Sequence, residues 1–152
     1  FEGAKRTLLS GDLIVFGPGD LFTSIIPNLL VEGVTEAVSK SKAKLVYIVN
    51  LVTKKGQTDG FSARSHLEAV EKYLGKNFDF VIMNSAIIPE KVRCLYEAEG
   101  EFPVEDDLED KRVIRGDFLS EHLHEAAPGD TVSRSLLRHS PEKLAKIFLS
   151  LC

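Results

Sequence analysis

Three short apolar runs do most to limit what this chain can fold into: DLIVF at Asp12 to Phe16, KLVYIV at Lys44 to Val49 and DFVIM at Asp79 to Met83. None alternates polar with apolar residues, and all are rich in β-branched or aromatic side chains. Runs of that kind suit strands covered on both faces, as in a parallel sheet. They start at positions 12, 44 and 79, so 32 and 35 residues apart, which is the span of a strand–helix–strand unit. Helical periodicity fills the gaps. Ser24 to Ser39 places Ile26, Leu29, Leu30, Val34 and Val38 near a 3.6-residue period, with Pro27 in the first turn, where a missing N–H costs nothing. Ser65 to Leu74 carries Leu67, Val70 and Leu74 on one stripe. Strand, helix, strand, helix, strand is a doubly wound α/β pattern. The units share no signature, so the spacing is not a solenoid repeat.

Beyond Pro89 the pattern loosens. Glu90 to Ala98 reads as a short helix, and RVIRGDF at Arg112 to Phe118 holds a short strand. Pro128-Gly129-Asp130 breaks the chain. Ser140-Pro141-Glu142 then caps a last helix, Glu142 to Leu151, whose Leu144, Ile147 and Phe148 face inward. The stretch EAEGEFPVEDDLED, Glu97 to Asp110, holds eight acids in fourteen residues and reads as a solvated turn. No linker or low-complexity segment divides the 152 residues, which read as a single domain, 1–152, around one core.

Charge and composition exclude several functions. Nineteen basic against 23 acidic side chains leave a net charge of −4, which argues against nucleic acid as a partner, because phosphate-backbone binding needs a basic face. An apolar share of 43% with 28% charged residues rules out wholesale disorder. No apolar run approaches the ~20 residues of a membrane span. Phe1-Glu2-Gly3-Ala4 lacks the basic and apolar regions of a signal peptide, so none is expected. Cys94 and Cys152 have no CxxC spacing and read as reduced thiols of a cytoplasmic protein.

In open parallel sheets, ligands bind beyond the carboxyl ends of the strands, so the loops there matter most. After the first run comes GPGDLFTS, Gly17 to Ser24, leading into a helix. Gly17 and Gly19 would let backbone approach a ligand, the helix start would favour an anion, and Thr23 and Ser24 add hydroxyls. The same glycines could serve only to turn the chain. A Walker A loop is excluded, since the Gly-Lys-Ser/Thr ending is absent. The second loop, NLVTKKGQTDGFS from Asn50 to Ser62, is long for its place, where two to six residues are usual. It gathers Asn50, Thr53, Gln57, Thr58 and Asp59. Asp59 could accept from sugar hydroxyls or hold magnesium beside ligand phosphates, or Thr58 and Asp59 could merely cap the next helix. Asn84-Ser85 would line the same edge.

His122 and His124 lack a third ligand for zinc, and His66 reads as a solvated residue of a surface helix. Arg138 and His139 precede the last helix, where the pair could reach an anionic ligand or Arg138 could form a surface salt bridge. No nucleophile–base pair is recognisable, so no catalytic residue is assigned.

GPGDLFTSIIPNLLV (Gly17 to Val31) followed by VNLVTKKGQTDGFSARSHL (Val49 to Leu67) resembles the CofD-like phospholactate transferase family. IIPN at Ile25 to Asn28 is typical of its gluconeogenesis-factor branch. YEAEGEFPV (Tyr96 to Val104) and LLRHSPEKLA (Leu136 to Ala145) extend the resemblance along essentially the whole chain. It implies a Rossmann-like three-layer α/β sandwich with a mainly parallel sheet. That sheet would be incomplete on its amino-terminal side, because the family's GGTG turn and DDGGSSG segment have no counterpart here. A chain opening at Phe1 therefore reads as a carboxyl-terminal half, expected to associate with the missing half or with itself as a homo-oligomer. The family's Arg-His-Asp reads Arg138-His139-Ser140, one carboxylate fewer.

Transferase members move a phospholactyl group onto a deazaflavin with magnesium. The gluconeogenesis-factor branch has no established reaction and resembles a binder of nucleotide sugars linked to carbon metabolism, cell-wall synthesis and cell shape. The expected function is that of a cytoplasmic nucleotide-sugar-binding regulator, with a phospholactyl transferase or a non-catalytic structural half-domain as alternatives. The partner is then a nucleotide sugar or another phosphate-bearing small molecule, and Mg2+, held by Asp59, is the one cofactor implied. Gly17, Gly19, Thr23, Ser24, Asn50, Thr53, Thr58, Asp59, Arg138 and His139 form the expected ligand-binding set.

Overall fold

The computed structural model describes residues 2–123 and 136–151. Four strands, β1 (Leu13–Phe16), β2 (Lys44–Ile48), β3 (Phe80–Asn84) and β4 (Val113–Gly116), form one sheet in the order β1-β2-β3-β4. All three pairings are parallel, with Val15 opposite Val46, Tyr47 opposite Val81 and Ile82 opposite Ile114. The fold is α/β. Helices are α1 (Glu2–Ser10), α2 (Ile26–Leu29), α3 (Val34–Lys40), α4 (Ala63–Leu74), α5 (Glu90–Glu99) and α6 (Pro141–Leu151).

The alternating side chains of β2 divide the core. Leu45, Tyr47 and Val49 pack with Leu67, Val70 and Leu74 of α4 and with Ile26 and Leu29 of α2. Val46 and Ile48 turn the other way, to Phe118 and to Leu144, Ile147 and Phe148 of α6. That is why these runs show no polar alternation: both faces are covered. Among the described residues, no single helix is long and apolar enough to cross a membrane.

Three expectations need correction. The helix expected over Ser24 to Ser39 is broken. A π-helical turn spans Leu21–Ile25, α2 follows, and α3 begins only after Gly33, at φ 79. Pro27 cannot donate to the preceding turn, and the Asn28 side chain donates to the Ser24 carbonyl at 2.6 Å. His66 is fully buried rather than solvated, because it shares the inward stripe with Ala63, Leu67 and Val70. Its ring meets Phe61 edge-on at 5.5 Å, and burial pushes its pKa down. The acidic stretch is not a solvated turn. Glu101 pairs with Lys54 (2.7 Å), Asp106 with Arg115 (2.6 Å) and Asp107 with Arg64 (3.8 Å), so its acids tie the segment to the sheet and to α4. The expected break at Pro128-Gly129-Asp130, and His124 and Cys152, lie outside the described residues.

At the amino-terminal edge of the sheet, Arg112 binds Glu71 of α4 (2.9 Å) and Asp110 (2.6 Å), and donates to the Phe78 carbonyl (2.9 Å). Glu71 also accepts from the Phe78 amide. One guanidinium thus joins α4, β3 and β4. Arg112→Met should strand two half-buried carboxylates and lower unfolding free energy by about 2 kcal/mol in urea titrations. The carboxyl ends of the strands lie opposite, so the loops there should keep their structure in this variant.

Candidate functional site

A cleft of about 920 Å³ opens at the carboxyl ends of β1 and β2. Pro18, Gly19 and Asp20 contribute from the first loop, and Asn50 to Lys55 from the second. Leu95, Tyr96 and Glu99 of α5, with Glu101, form a third wall, and Leu136 to His139 a fourth. Of the expected ligand set, Gly19, Asn50, Thr53, Arg138 and His139 meet here, although they are spread from position 19 to 139.

The remaining five do not line the cleft. Gly17 sits below it at φ 90, where an added Cβ would lie 3.1 Å from the Ile48 carbonyl oxygen. Gly17→Ala is therefore expected to cost about 1–2 kcal/mol of stability in thermal unfolding, through backbone strain. Thr23 and Ser24 are exposed on the π-helical turn. That turn runs directly into α2 as one helical segment, Leu21–Leu29, and it is the residues just before it, Pro18, Gly19 and Asp20, that line the cleft. Thr58 and Asp59 are not helix caps. Ser62 caps α4 by accepting from the Ser65 amide, whereas Thr58 Oγ1 accepts from the Lys54 amide (2.7 Å) and Asp59 from the Gly56 amide (2.7 Å).

These bonds close the loop on itself, and its length has a structural use. Thr53 is 4% exposed and exchanges bonds with Phe102: its amide donates to the Phe102 carbonyl, and its Oγ1 accepts from the Phe102 amide. The Val104 amide donates to the Leu51 carbonyl. The loop is thereby pinned along residues 102–104. Asp59, the residue expected to hold magnesium beside ligand phosphates, is exposed and does not line the cleft, and no group of three or more His, Cys, Asp or Glu side chains clusters among the described residues.

The fourth wall is held by a short antiparallel ladder. The Ser120 amide donates to the Arg138 carbonyl (2.9 Å), and the Ser140 amide to the Phe118 carbonyl (2.8 Å). Tyr96 Oη accepts from the Leu137 amide at 2.9 Å, fastening the wall to α5. Arg138 and His139, adjacent in sequence, then differ sharply. Arg138 is exposed and has no ion-pair partner among the described residues, so the salt bridge considered from sequence is not formed there. His139 is 8% exposed. Burial pushes its pKa down to about 4, the Val49 carbonyl accepting from the ring only partly offsets this, and Nε2 is left without a partner. The ring is neutral at pH 7, so the positive charge of the pair is Arg138's alone.

Lys54 is committed to Glu101, which raises the lysine's pKa. Lys55 lies over Gly100 and, like Arg138, has no ion-pair partner among the described residues. Sequence reasoning missed Lys54, Lys55, Tyr96 and Glu99. Leu95 and Glu99 stand four apart on α5, a spacing that puts both on one helix face, but only the fold shows that this face meets the second loop.

Residues 1–123 match the family described as 2-phospho-L-lactate transferase CofD. This chain belongs to the CofD family. It is 41% identical over 138 residues to a putative gluconeogenesis factor of Thermotoga maritima, and 36% identical over 141 residues to the gluconeogenesis factor of Bacillus subtilis. These alignments take in 90% and 92% of this chain, but 42% and 43% of the relatives. A crystal structure of a UPF0052 family member from Bacillus halodurans superposes with a TM-score of 0.85 at 32% identity, over 98% of this chain and 46% of that one. The chain therefore spans under half the length of the CofD-family relatives it matches.

Proposed function

We propose that the cleft binds the phosphates of a nucleotide sugar, and that the protein is a cytoplasmic regulator of the gluconeogenesis-factor kind, linked to carbon metabolism and cell shape. The observation that carries this reading is the pair of cations without ion-pair partners among the described residues, Arg138 and Lys55, lining a 920 Å³ cleft at the carboxyl ends of parallel strands. A diphosphate is the small-molecule group that best uses them, and the planar fork of Arg138 can grip it in two bonds. No catalytic role is assigned to any residue: His139 has no hydroxyl or thiol partner among the described residues, and Cys94 is exposed in α5 outside the cleft.

The family match favours a second reading, a phospholactyl transferase acting on a deazaflavin. Calorimetry of the protein at full natural length separates the two. UDP-sugar binding without turnover supports the regulator, and phospholactyl transfer to a deazaflavin overturns it. The half of its relatives that this chain lacks counts as well. The 152 residues alone are expected to bind UDP-glucose at least tenfold more weakly than the full-length protein, because a Rossmann-like ligand is also held by the first strand's turn. Equal affinity would show that the cleft needs no second half.

A further inference from the structure

A second cavity, of about 270 Å³, opens beside the cleft at the carboxyl ends of β2 and β3. Asn50 and Leu51 line both spaces and form the wall between them. The smaller cavity is mostly apolar, built from Leu51, Met83, Ile87, Ile88 and Val104. Its other polar side chains are committed. Asn84 donates through Nδ2 to the Ala86 carbonyl (3.0 Å) and accepts through Oδ1 from the Phe118 amide (3.0 Å). Arg93 is paired with Glu97 at 2.7 Å.

Asn50 differs from them. Its Oδ1 is buried and has no hydrogen-bond partner among the described residues. A carbonyl oxygen removed from water without a donor is a standing cost, which a bound N–H removes. Ile87 is 92% exposed at this cavity, so a flat ring laid against it would bury apolar surface that is now in water.

We infer that the smaller cavity is a nucleobase subsite, in which the Asn50 amide reads the edge of the base while the phosphates lie in the adjoining cleft. The inference rests on the nucleotide reading of that cleft. A base is flat and apolar on its faces and carries donors and acceptors on its edge. A side-chain amide offers one acceptor and one donor side by side, the complement of a base edge that pairs an N–H with an acceptor. Because Asn50 stands between the two spaces, a nucleotide can fill both without leaving the protein surface.

The test uses the protein at full natural length, calorimetry, and two kinds of probe: the tightest-binding of UDP-, GDP- and ADP-glucose, and inorganic diphosphate, which has no base. Asn50→Leu should weaken the nucleotide sugar at least tenfold and leave diphosphate unchanged. Ile87→Arg, at an exposed position that folding does not need, should weaken the nucleotide sugar several-fold with the same selectivity. Wild-type affinity in both variants, or equal losses for both probes, overturns the base subsite while the cleft reading stands. If neither probe binds the unaltered protein, the cleft reading falls and the subsite falls with it.

Discussion

Arg138→Ala should weaken binding of a UDP-sugar to the full-length protein by about 10- to 100-fold while leaving its thermal midpoint unchanged. The magnitude follows from losing about one charge-assisted hydrogen bond's worth of net binding, about 1.5–3 kcal/mol. The unchanged midpoint follows from geometry: the side chain is exposed and without an ion-pair partner among the described residues, and the local ladder is made by its backbone carbonyl, which alanine keeps. Arg138→Lys should recover only part of the affinity, because an ammonium cannot grip a phosphate in a bidentate fork. Calorimetry at two salt concentrations checks the assignment. The salt dependence should shrink in the alanine variant and persist in the lysine one. A variant that binds as tightly as the parent would remove Arg138 from the site, and a lowered midpoint would make it structural.

The sheet is legible in the sequence because parallel strands covered on both faces need unbroken apolar runs, and three of the four announce themselves. The fourth, Val113–Gly116, is weaker as an apolar run because Arg112 precedes it and Arg115 stands within it, each held in an ion pair. The helix after β1 is less legible. Its apolar spacing is correct, but spacing does not report that Gly33 adopts φ 79 or that Asn28 takes the Ser24 carbonyl. His66 misleads for a similar reason: a polar residue on the inward stripe is read as exposed until the packing of Phe61 against it is seen.

The candidate site is legible in its parts and not in its assembly. Gly19, Asn50, Thr53, Arg138 and His139 stand out by residue type, and the strand-end rule says where two of the loops must go. That Tyr96 would fasten the Arg138 segment beside them is a long-range fact, carried by one hydroxyl and the Leu137 amide across 41 residues. Thr58 and Asp59 mislead because turn-closing residues and ligand-binding residues are of the same types. Only the bonds to Lys54 and Gly56 tell them apart.

His139 bears on stability as well as on the cleft, and it should make the protein acid-sensitive. The ring is buried and neutral, with its pKa pushed down from 6.5 to about 4 and no charged group among the causes. Above pH 6.5 both the folded and unfolded chains hold the ring neutral, and the full contribution to stability is present. Between 6.5 and about 4 the unfolded chain takes up a proton that the folded one refuses, so stability falls as pH falls. The slope approaches about 1.4 kcal/mol per pH unit, for a total of about 3 kcal/mol by pH 4. His66, displaced in the same direction, adds to the loss. Asp106, Asp110 and Asp117, held low by Arg115, Arg112 and Lys143, act in the same sense but at lower pH, as their unfolded values near 3.8 are approached. Urea titrations at pH 7, 6 and 5 separate these windows. His139→Asn keeps a side-chain donor for the Val49 carbonyl and cannot titrate, so its stability should be flatter across this range than the parent's. An asparagine variant as acid-sensitive as the parent would place the proton uptake elsewhere, with His66 the next residue to replace.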